Sequence, residues 1–347
     1  MTRGRDLSSL PRMIRTVIEG LGHYVPPRVV TNDDLAKVMA TSDEWIFPRT
    51  GIKQRHYVED GVGASDLGVE AAKMAMERAG CTAADIDLIV FATLSPDVCF
   101  PGSACFVQHK LGCKQIAALD VRTQCTGFLY GLQVCDSLLR TGAYKKALLI
   151  GAEVHSTGID FSDRGRDVTV LFGDGAGAAV LGTAMGQGTL ADRGLHFTKV
   201  AADGAGAKDL WCVAPTSARI PRLTHQMLDE GLQYPTMNGK LVFRWATEKM
   251  PEVATLALSS AGATIDDLQW FVPHQANLRI NELVARKLGI PEAKCWNNIE
   301  RYGNTTAATI PIGLSELQTL GKSRPGDLVL MAAFGSGFTW GGALLRL

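Results

Sequence analysis

The chain has 347 residues, 46% of them hydrophobic, and 35 basic side chains balance 35 acidic ones. That length predicts two domains or one large fused unit around a sizeable core, and the zero formal charge excludes a global attraction to nucleic acid or to a membrane surface. The eight cysteines show neither a Cys-x-x-Cys pair nor a Cys/His cluster at ligand spacing, so no metal is expected. Met1 to Arg15 holds four arginines and no apolar core, and apolar runs elsewhere are shorter than ten residues. The expectation is therefore a cytoplasmic protein with no membrane insertion and reduced thiols, one a candidate catalyst and seven of them core.

Strand-like and helix-like segments alternate along the chain, which predicts an α/β class. Thr41 and Glu44 have capping-box spacing, so a short helix is expected to begin there and to set Trp45 and Arg49 on one face. Trp45 offers a flat apolar surface for adenine and Arg49 a donor fork for phosphate. Leu67 to Ala79 reads as an amphipathic helix and Ile86 to Ala92 as a buried strand. Ala147 to Gly151, Val168 to Phe172 and Leu328 to Ala332 read as buried strands too, and Leu278 to Leu288 as a second amphipathic helix. Gly173-Asp-Gly-Ala-Gly-Ala178 fits a dinucleotide fingerprint, but a strand-like run follows it and the acid about twenty residues on is missing, so a nicotinamide site is set aside.

Ala79-Gly80-Cys-Thr82-Ala-Ala-Asp85-Ile86 resembles Ala261-Gly262-Ala-Thr264-Ile-Asp-Asp267-Leu268, with Gly80 and Gly262 standing 182 residues apart. Gly131-Leu132 and Gly313-Leu314 stand at the same offset. A gapless offset in two distant places argues for a duplicated half-chain. It sets Cys125 opposite Ala307, three residues past Asn304.

Ile116 to Gln124 reads as extended and Cys125 to Gln133 as helical, so the Cys125 sulfur is expected at a helix N-terminus, where the macrodipole and free N–H groups favour thiolate. His274 follows Gln269-Trp-Phe-Val-Pro273 at a strand end, with its ring expected in a cavity. Asn304 precedes a helix that it could also cap. All three fall at element ends, where the active sites of such sheets collect.

Together these residues resemble the β-ketoacyl-acyl-carrier-protein synthase III family of the thiolase superfamily, from about Met13 to Leu347. The marks are Thr41-Ser-Asp-Glu-Trp-Ile46, Arg49-Thr-Gly-Ile52, Cys125-Thr-Gly-Phe128, Asp163-Arg-Gly165, Phe172-Gly-Asp-Gly-Ala-Gly177, Val272-Pro-His-Gln-Ala-Asn277, Gly303-Asn-Thr-Thr306 and Phe334-Gly-Ser-Gly-Phe-Thr-Trp-Gly341. The resemblance implies a thiolase-like fold, duplicated half-domains in a five-layered αβαβα sandwich, and a homodimer. The expected division is an N-terminal extension over 1–12, a half over 13–185 carrying the nucleophile, and a half over 186–347 carrying His and Asn.

The resemblance also implies a triad of Cys125, His274 and Asn304. Cys125 would take an acyl group from acyl-CoA as a thioester, and His274, neutral and donating from Nε2, would join Asn304 in stabilising the enolate formed when a malonyl thioester loses carbon dioxide. The backbone N–H groups of Cys125 and Ser336 would form the oxyanion hole; the family usually has glycine where Ser336 stands. Trp45, Arg49, Arg164 and Asn277 would hold coenzyme A, which is substrate and not cofactor, and Phe100 would sit near the partner subunit's acyl pocket. Related head-to-head condensing enzymes carry glutamate before the proline of that loop; here it is Phe100. Arg244, Arg279, Arg286 and Lys287 would dock an acidic acyl carrier protein.

The implied reaction joins an acyl-CoA primer to malonyl-acyl carrier protein, giving 3-oxoacyl-acyl carrier protein, coenzyme A and carbon dioxide, and initiates fatty-acid synthesis. The alternative is a specialised synthase that primes or joins polyketide or long acyl chains. Gln124, which stands before the nucleophile where small residues are common, and a long segment between Gly182 and Met237 with Trp211, Pro215, Pro221 and His225, expected as a lid, keep it open. From another class comes a silent scaffold that kept the fold, which the intact triad argues against.

Overall fold

The computed structural model describes residues 13–347, so the extension expected over 1–12 lies outside the described residues. The first half forms β1 (Met13–Tyr24), β2 (Leu88–Ala92), β3 (Ala117–Val121), β4 (Ala147–Glu153) and β5 (Gly175–Gly186), in the spatial order β1-β5-β4-β2-β3. The second forms β6 (Gly194–Ala202), β7 (Trp270–Pro273), β8 (Leu328–Gly335) and β9 (Thr339–Arg346), in the order β7-β8-β9-β6. The pairing pattern repeats. β1–β5 and β5–β4 are antiparallel and β4–β2 parallel, while β6–β9 and β9–β8 are antiparallel and β8–β7 parallel. A lone parallel bridge from Phe271 to Cys295 stands where β3 extends the first sheet.

The principal helices are α1 (Asp43–Thr50), α2 (Ala64–Ala79), α3 (Ser103–Lys110), α4 (Gly127–Arg140), α5 (Gly239–Ala261), α6 (Leu278–Leu288) and α7 (Thr309–Thr319). α2 covers the outer face of the first sheet and α5 that of the second, while α4 and α7 lie between the sheets and touch both. The result is the five-layered αβαβα sandwich. Its central strands read as continuous apolar runs because both faces are buried: Leu88 and Val90 enter the middle layer with Phe128 and Leu314, whereas Ile89 and Phe91 pack outward on Leu67 and Ala71.

The twofold repeat reaches single residues. Gly80 and Gly262 close α2 and α5 in the left-handed conformation, at φ 63° and 66°. Past each, Thr82 and Thr264 donate their backbone N–H to Asp85 and Asp267, both at 2.8 Å. The central helices are entered alike: Gln124 and Thr306, 182 positions apart, are the non-glycine residues with positive φ among those described, at 43° and 50°.

Three local expectations are corrected. Val168 to Phe172 is not a strand: Arg166–Thr169 is a helical turn, and only Phe172 pairs, through an isolated bridge to Asn304. The run is apolar because it roofs a separate cluster with Ile46, Ile52 and Ile299, not because it joins a sheet. The cap of α1 is Ser42, whose hydroxyl accepts from Trp45 N–H at 3.2 Å, while the Thr41 hydroxyl is buried without a partner. And the cysteines are not all core: Cys99, Cys105 and Cys212 are exposed. They lie on a loop, a helix face and the long excursion, where no sheet covers them.

α2 approaches β1 so closely that a Cβ on Gly22 would stand 2.1 Å from the Ala71 carbonyl oxygen and 2.5 Å from Ala75 N. Because both obstacles are helix backbone, Gly22→Ala is expected to cost about 1–3 kcal/mol. Urea unfolding of the variant measures it; an unchanged midpoint would show that the helix can move away freely.

Candidate active site

Cys125 sits in the single helical turn between β3 and α4, immediately after the left-handed Gln124. It is buried, and no side chain fits at Gly335 beside it, where a Cβ would stand 2.5 Å from the Cys125 Cβ. The expectation of a thiolate is corrected here. Burial pushes the Cys125 thiol up to about 12, the nearby Glu153 carboxylate adds to this, and only the N–H groups of Ser336 and of Cys125 itself pull back. Desolvation outweighs the helix terminus, so the resting group is the thiol.

His274 follows the end of β7, with its backbone N–H on the Ala332 carbonyl at 2.9 Å. Its Nδ1 lies 2.7 Å from the Thr309 hydroxyl and its Nε2 is buried with no partner. Burial lowers the imidazole to about 3, so the ring is neutral at ordinary pH. Asn304 is fixed through its carbonyl side: Oδ1 accepts from Thr306 N–H at 2.9 Å and the backbone N–H donates to the Leu171 carbonyl at 2.8 Å. Its amide NH2 has no partner among the described residues. Cys125, His274 and Asn304 line one cavity of about 210 Å3 with Trp45, Arg49 and Phe334. Cys125 also lines a second cavity of about 510 Å3 with Gln124, His155 and Trp211, so the sulfur stands where the two meet.

The Ser336 N–H reaches the Cys125 sulfur, and the Ser336 hydroxyl is turned away onto the Leu210 carbonyl. Trp45 carries two guanidinium groups, Arg49 at 4.8 Å and Arg166 at 4.5 Å from the ring centre. Arg164, the expected partner, is elsewhere: Asp160, four residues back, holds its Nε at 2.6 Å, and its guanidinium lies 5.8 Å from the Tyr234 ring. Asn277 caps α6 through Arg279 N–H and donates to the Arg49 carbonyl at 2.9 Å, so it ties α6 to α1 at the cavity wall.

Phe100 is 82% exposed. Arg244, Arg279, Arg286 and Lys287 are exposed on the adjoining α5 and α6, with Lys287 tied to the Thr247 carbonyl at 2.7 Å. The long excursion returns as a two-stranded ribbon pairing Trp211 with Thr236 and Leu210 with Met237. Leu210 and Met237 wall the smaller cavity, and Trp211, Cys212 and Pro235 the larger. Sequence reasoning missed Thr309, His155 and Glu153. The wholly buried Glu153 carboxyl is pushed up to about 7 by burial, against hydrogen bonds from Ser95, Leu94, Thr93 and Ala307. A carboxylate ending an apolar strand was the one signal available for it. Among the described residues, no cluster of His, Cys, Asp or Glu is gathered that could hold a metal, and no helix is long and apolar enough to cross a membrane.

Two family models match the chain: 3-oxoacyl-[acyl-carrier-protein (ACP)] synthase III over residues 119–204 and its C-terminal counterpart over 258–347. The beta-ketoacyl-[acyl-carrier-protein] synthase III of Syntrophomonas wolfei is 43% identical over 334 residues, spanning 96% of this chain and 98% of its own. That of Paracoccus denitrificans is 44% identical, spanning 96% and 100%. Among solved structures, the 3-oxoacyl-[acyl-carrier-protein] synthase III of Aquifex aeolicus superposes with a TM-score of 0.86 at 40% identity, over 96% of this chain and 100% of that one. The priming beta-ketosynthase of the R1128 polyketide pathway gives 0.86 at 33% identity, over 97% of each.

Because burial alone depresses the His274 imidazole, its ring resonances are expected to stay in the neutral form from pH 8 down to pH 5. A nitrogen-detected NMR titration of the folded protein checks this. A midpoint near the ordinary histidine value of about 6.5 would show that water reaches the ring.

Proposed function

The chain belongs to the 3-oxoacyl-[acyl-carrier-protein] synthase III family, whose members are acyltransferases, and from that premise we propose that it starts fatty-acid synthesis by decarboxylative condensation of an acyl-CoA with malonyl-acyl carrier protein. The observation that carries the mechanism is the position of the Cys125 thiol between two cavities, with the unpartnered His274 Nε2 lining the first.

In the first half-reaction the adenine of acyl-CoA lies on Trp45, and Arg49 and Arg166 meet its phosphates. The thioester enters through the smaller cavity. Sγ of Cys125 attacks the acyl carbon, the bond to the coenzyme sulfur breaks, and the thiol proton leaves with that sulfur. The N–H groups of Cys125 and Ser336 receive the developing oxyanion, and one such donor is worth about 3 kcal/mol. The acyl chain then lies in the larger cavity.

In the second half-reaction malonyl-acyl carrier protein takes the place of coenzyme A. Neutral His274 donates from Nε2 in the tautomer whose Nδ1 accepts the Thr309 hydroxyl proton, which otherwise goes to the Thr306 carbonyl 3.0 Å away, and Asn304 donates from its free amide. Both donors meet the thioester oxygen as the carboxylate leaves as carbon dioxide and enolate charge develops. The carbanion attacks the acyl-Cys125 carbon, the bond to sulfur breaks, the leaving thiolate takes a proton from solvent to restore the thiol, and 3-oxoacyl-acyl carrier protein departs. The exposed arginines Arg244, Arg279 and Arg286, with Lys287, form the docking face for the acidic carrier, an attraction that weakens with salt.

We place the enzyme in the cytoplasm as a homodimer. The exposed Phe100 and the partly exposed strand β3, which ends its sheet with one edge unpaired, support the second copy. Priming of a specialised pathway is the second reading. Gln124 favours it, because it brings an amide rather than a small side chain to the wall of the acyl-side cavity.

Intact-mass analysis with a panel of acyl-CoAs is expected to show one acyl adduct, lost in Cys125→Ala; an adduct on that variant would move the nucleophile elsewhere. His274→Ala and Asn304→Ala should slow decarboxylation by about 10²-fold or more while acylation persists, and the reverse order would refute the roles given. Arg166→Ala should raise KM for acyl-CoA more than Arg164→Ala does. Products made from short primers support fatty-acid initiation; turnover confined to long or oxidised primers supports the specialised pathway.

A further inference from the structure

Glu153 ends β4, has no exposed surface, and touches no substrate in the steps given above, its charge acting on Cys125 only at a distance. Its two oxygens gather donors from a different part of the chain. Thr93 Oγ1 donates at 3.1 Å, the backbone N–H of Leu94 at 3.1 and 3.2 Å, the N–H of Ser95 at 3.3 Å and the Ser95 hydroxyl at 2.8 Å. The Ala307 N–H, from the twin turn of the second half, reaches it as well. Ser95 Oγ also accepts from Val154 N–H at 2.8 Å, which ties the loop to the residue after Glu153.

Two of these donor residues, Leu94 and Ser95, stand in the wall of the acyl-side cavity, whereas Thr93 and Ala307 do not line it. Leu94, Ser95, Pro96, Val154 and Thr306 all line it, and Glu153 itself does not. A carboxylate accepts from many directions at once and suits a nest of donors; an amide offers a single oxygen and brings two hydrogens of its own. The same loop has a second clamp farther on, where the Ser65 hydroxyl donates to Asp97 at 2.7 Å on the outer helix, and neither of those residues lines the cavity.

We infer that Glu153 is a positioning residue that holds the Thr93–Pro96 loop against β4 and the twin turn, and thereby sets which acyl chains fit behind Cys125. The inference rests on the reading of Cys125 as the acyl carrier. It assigns chain-length selection to a buried anchor and not only to the residues that touch the chain.

The test measures acylation rates of Cys125 by intact mass, with saturated acyl-CoAs lengthened two carbons at a time. Glu153→Gln is expected to lower discrimination between the best primer and its next longer homologue at least about fivefold, a fraction of the roughly 10–200-fold that a hydrophobic pocket achieves per methylene. Thr93→Val removes a loop donor to the same carboxyl without altering it, at a residue that does not line the cavity, and should shift the profile in the same direction; it decides the matter if Glu153→Gln does not fold. Ser65→Ala loosens only the outer clamp and should leave the profile as it was. Decarboxylation by enzyme already carrying the best primer should change less than about twofold in Thr93→Val.

An unmoved profile in Thr93→Val, or a uniform fall across all primers together with decarboxylation, overturns the inference. So does the same broadening in Ser65→Ala. A wild-type enzyme that accepts no acyl group on Cys125 sinks the functional reading and this inference with it, whereas an acylated wild type with unmoved variants sinks this inference alone.

Discussion

The constraint on which the rest depends is the close meeting of two helix entries between the sheets. α4 and α7 each begin from a left-handed turn, and the turns touch. Their approach leaves no room for side chains around them. A Cβ on Gly151 would stand 2.3 Å from the Ala307 carbonyl oxygen, and one on Gly127 would stand 2.9 Å from the Ala92 Cβ and 3.1 Å from that of Ala307. The backbone must be bare at these points for the turns to sit where they do, and a left-handed residue that is not glycine costs on the order of 1–2 kcal/mol. The surrounding layers supply the packing that holds such a residue in place.

From that meeting point the chemistry follows by direction. One turn presents a sulfur; the other presents Asn304 just upstream and Thr309 at the helix start, and Thr309 in turn holds the His274 ring. Burial then decides protonation. The same dryness that keeps His274 neutral keeps Cys125 protonated, so the site is arranged around neutral donors and not around a standing charge. Such an arrangement is worth most where charge appears only briefly, as in an enolate or a tetrahedral oxyanion.

The strands and helices were legible because each has both a period and a boundary signal. Leu88 to Ala92 is apolar on two faces and sits between layers, and the Gly80 and Gly262 caps mark equal places in equal halves. The offset of 182 also located the entry to α7 from that to α4. What was not legible depends on distance across the fold. Val168 to Phe172 has the composition of a strand but no neighbouring strand to bond with, and it is apolar because it lies over Ile46 and Ile299. Arg166 and Arg164 differ by two positions, yet Arg164 is held by Asp160 and the Asp229 carbonyl and Arg166 by Asp167 and the Ala40 carbonyl over Trp45, partners that lie in different parts of the chain. The Cys125 thiol was misread for a similar reason: a helix terminus is visible in a sequence, and desolvation is not.

The turn at Ala307 has one more consequence. It is the counterpart of the nucleophile's own turn, yet it carries a methyl group buried to 1% exposure in a gap between glycines. A side chain longer than that methyl group would press on the entry to α4, where a Cβ on Gly127 would already stand 3.1 Å from it. Duplication of the half-fold therefore yields a single reaction centre and not a pair, and the second copy is free to become the scaffold from which the first is served.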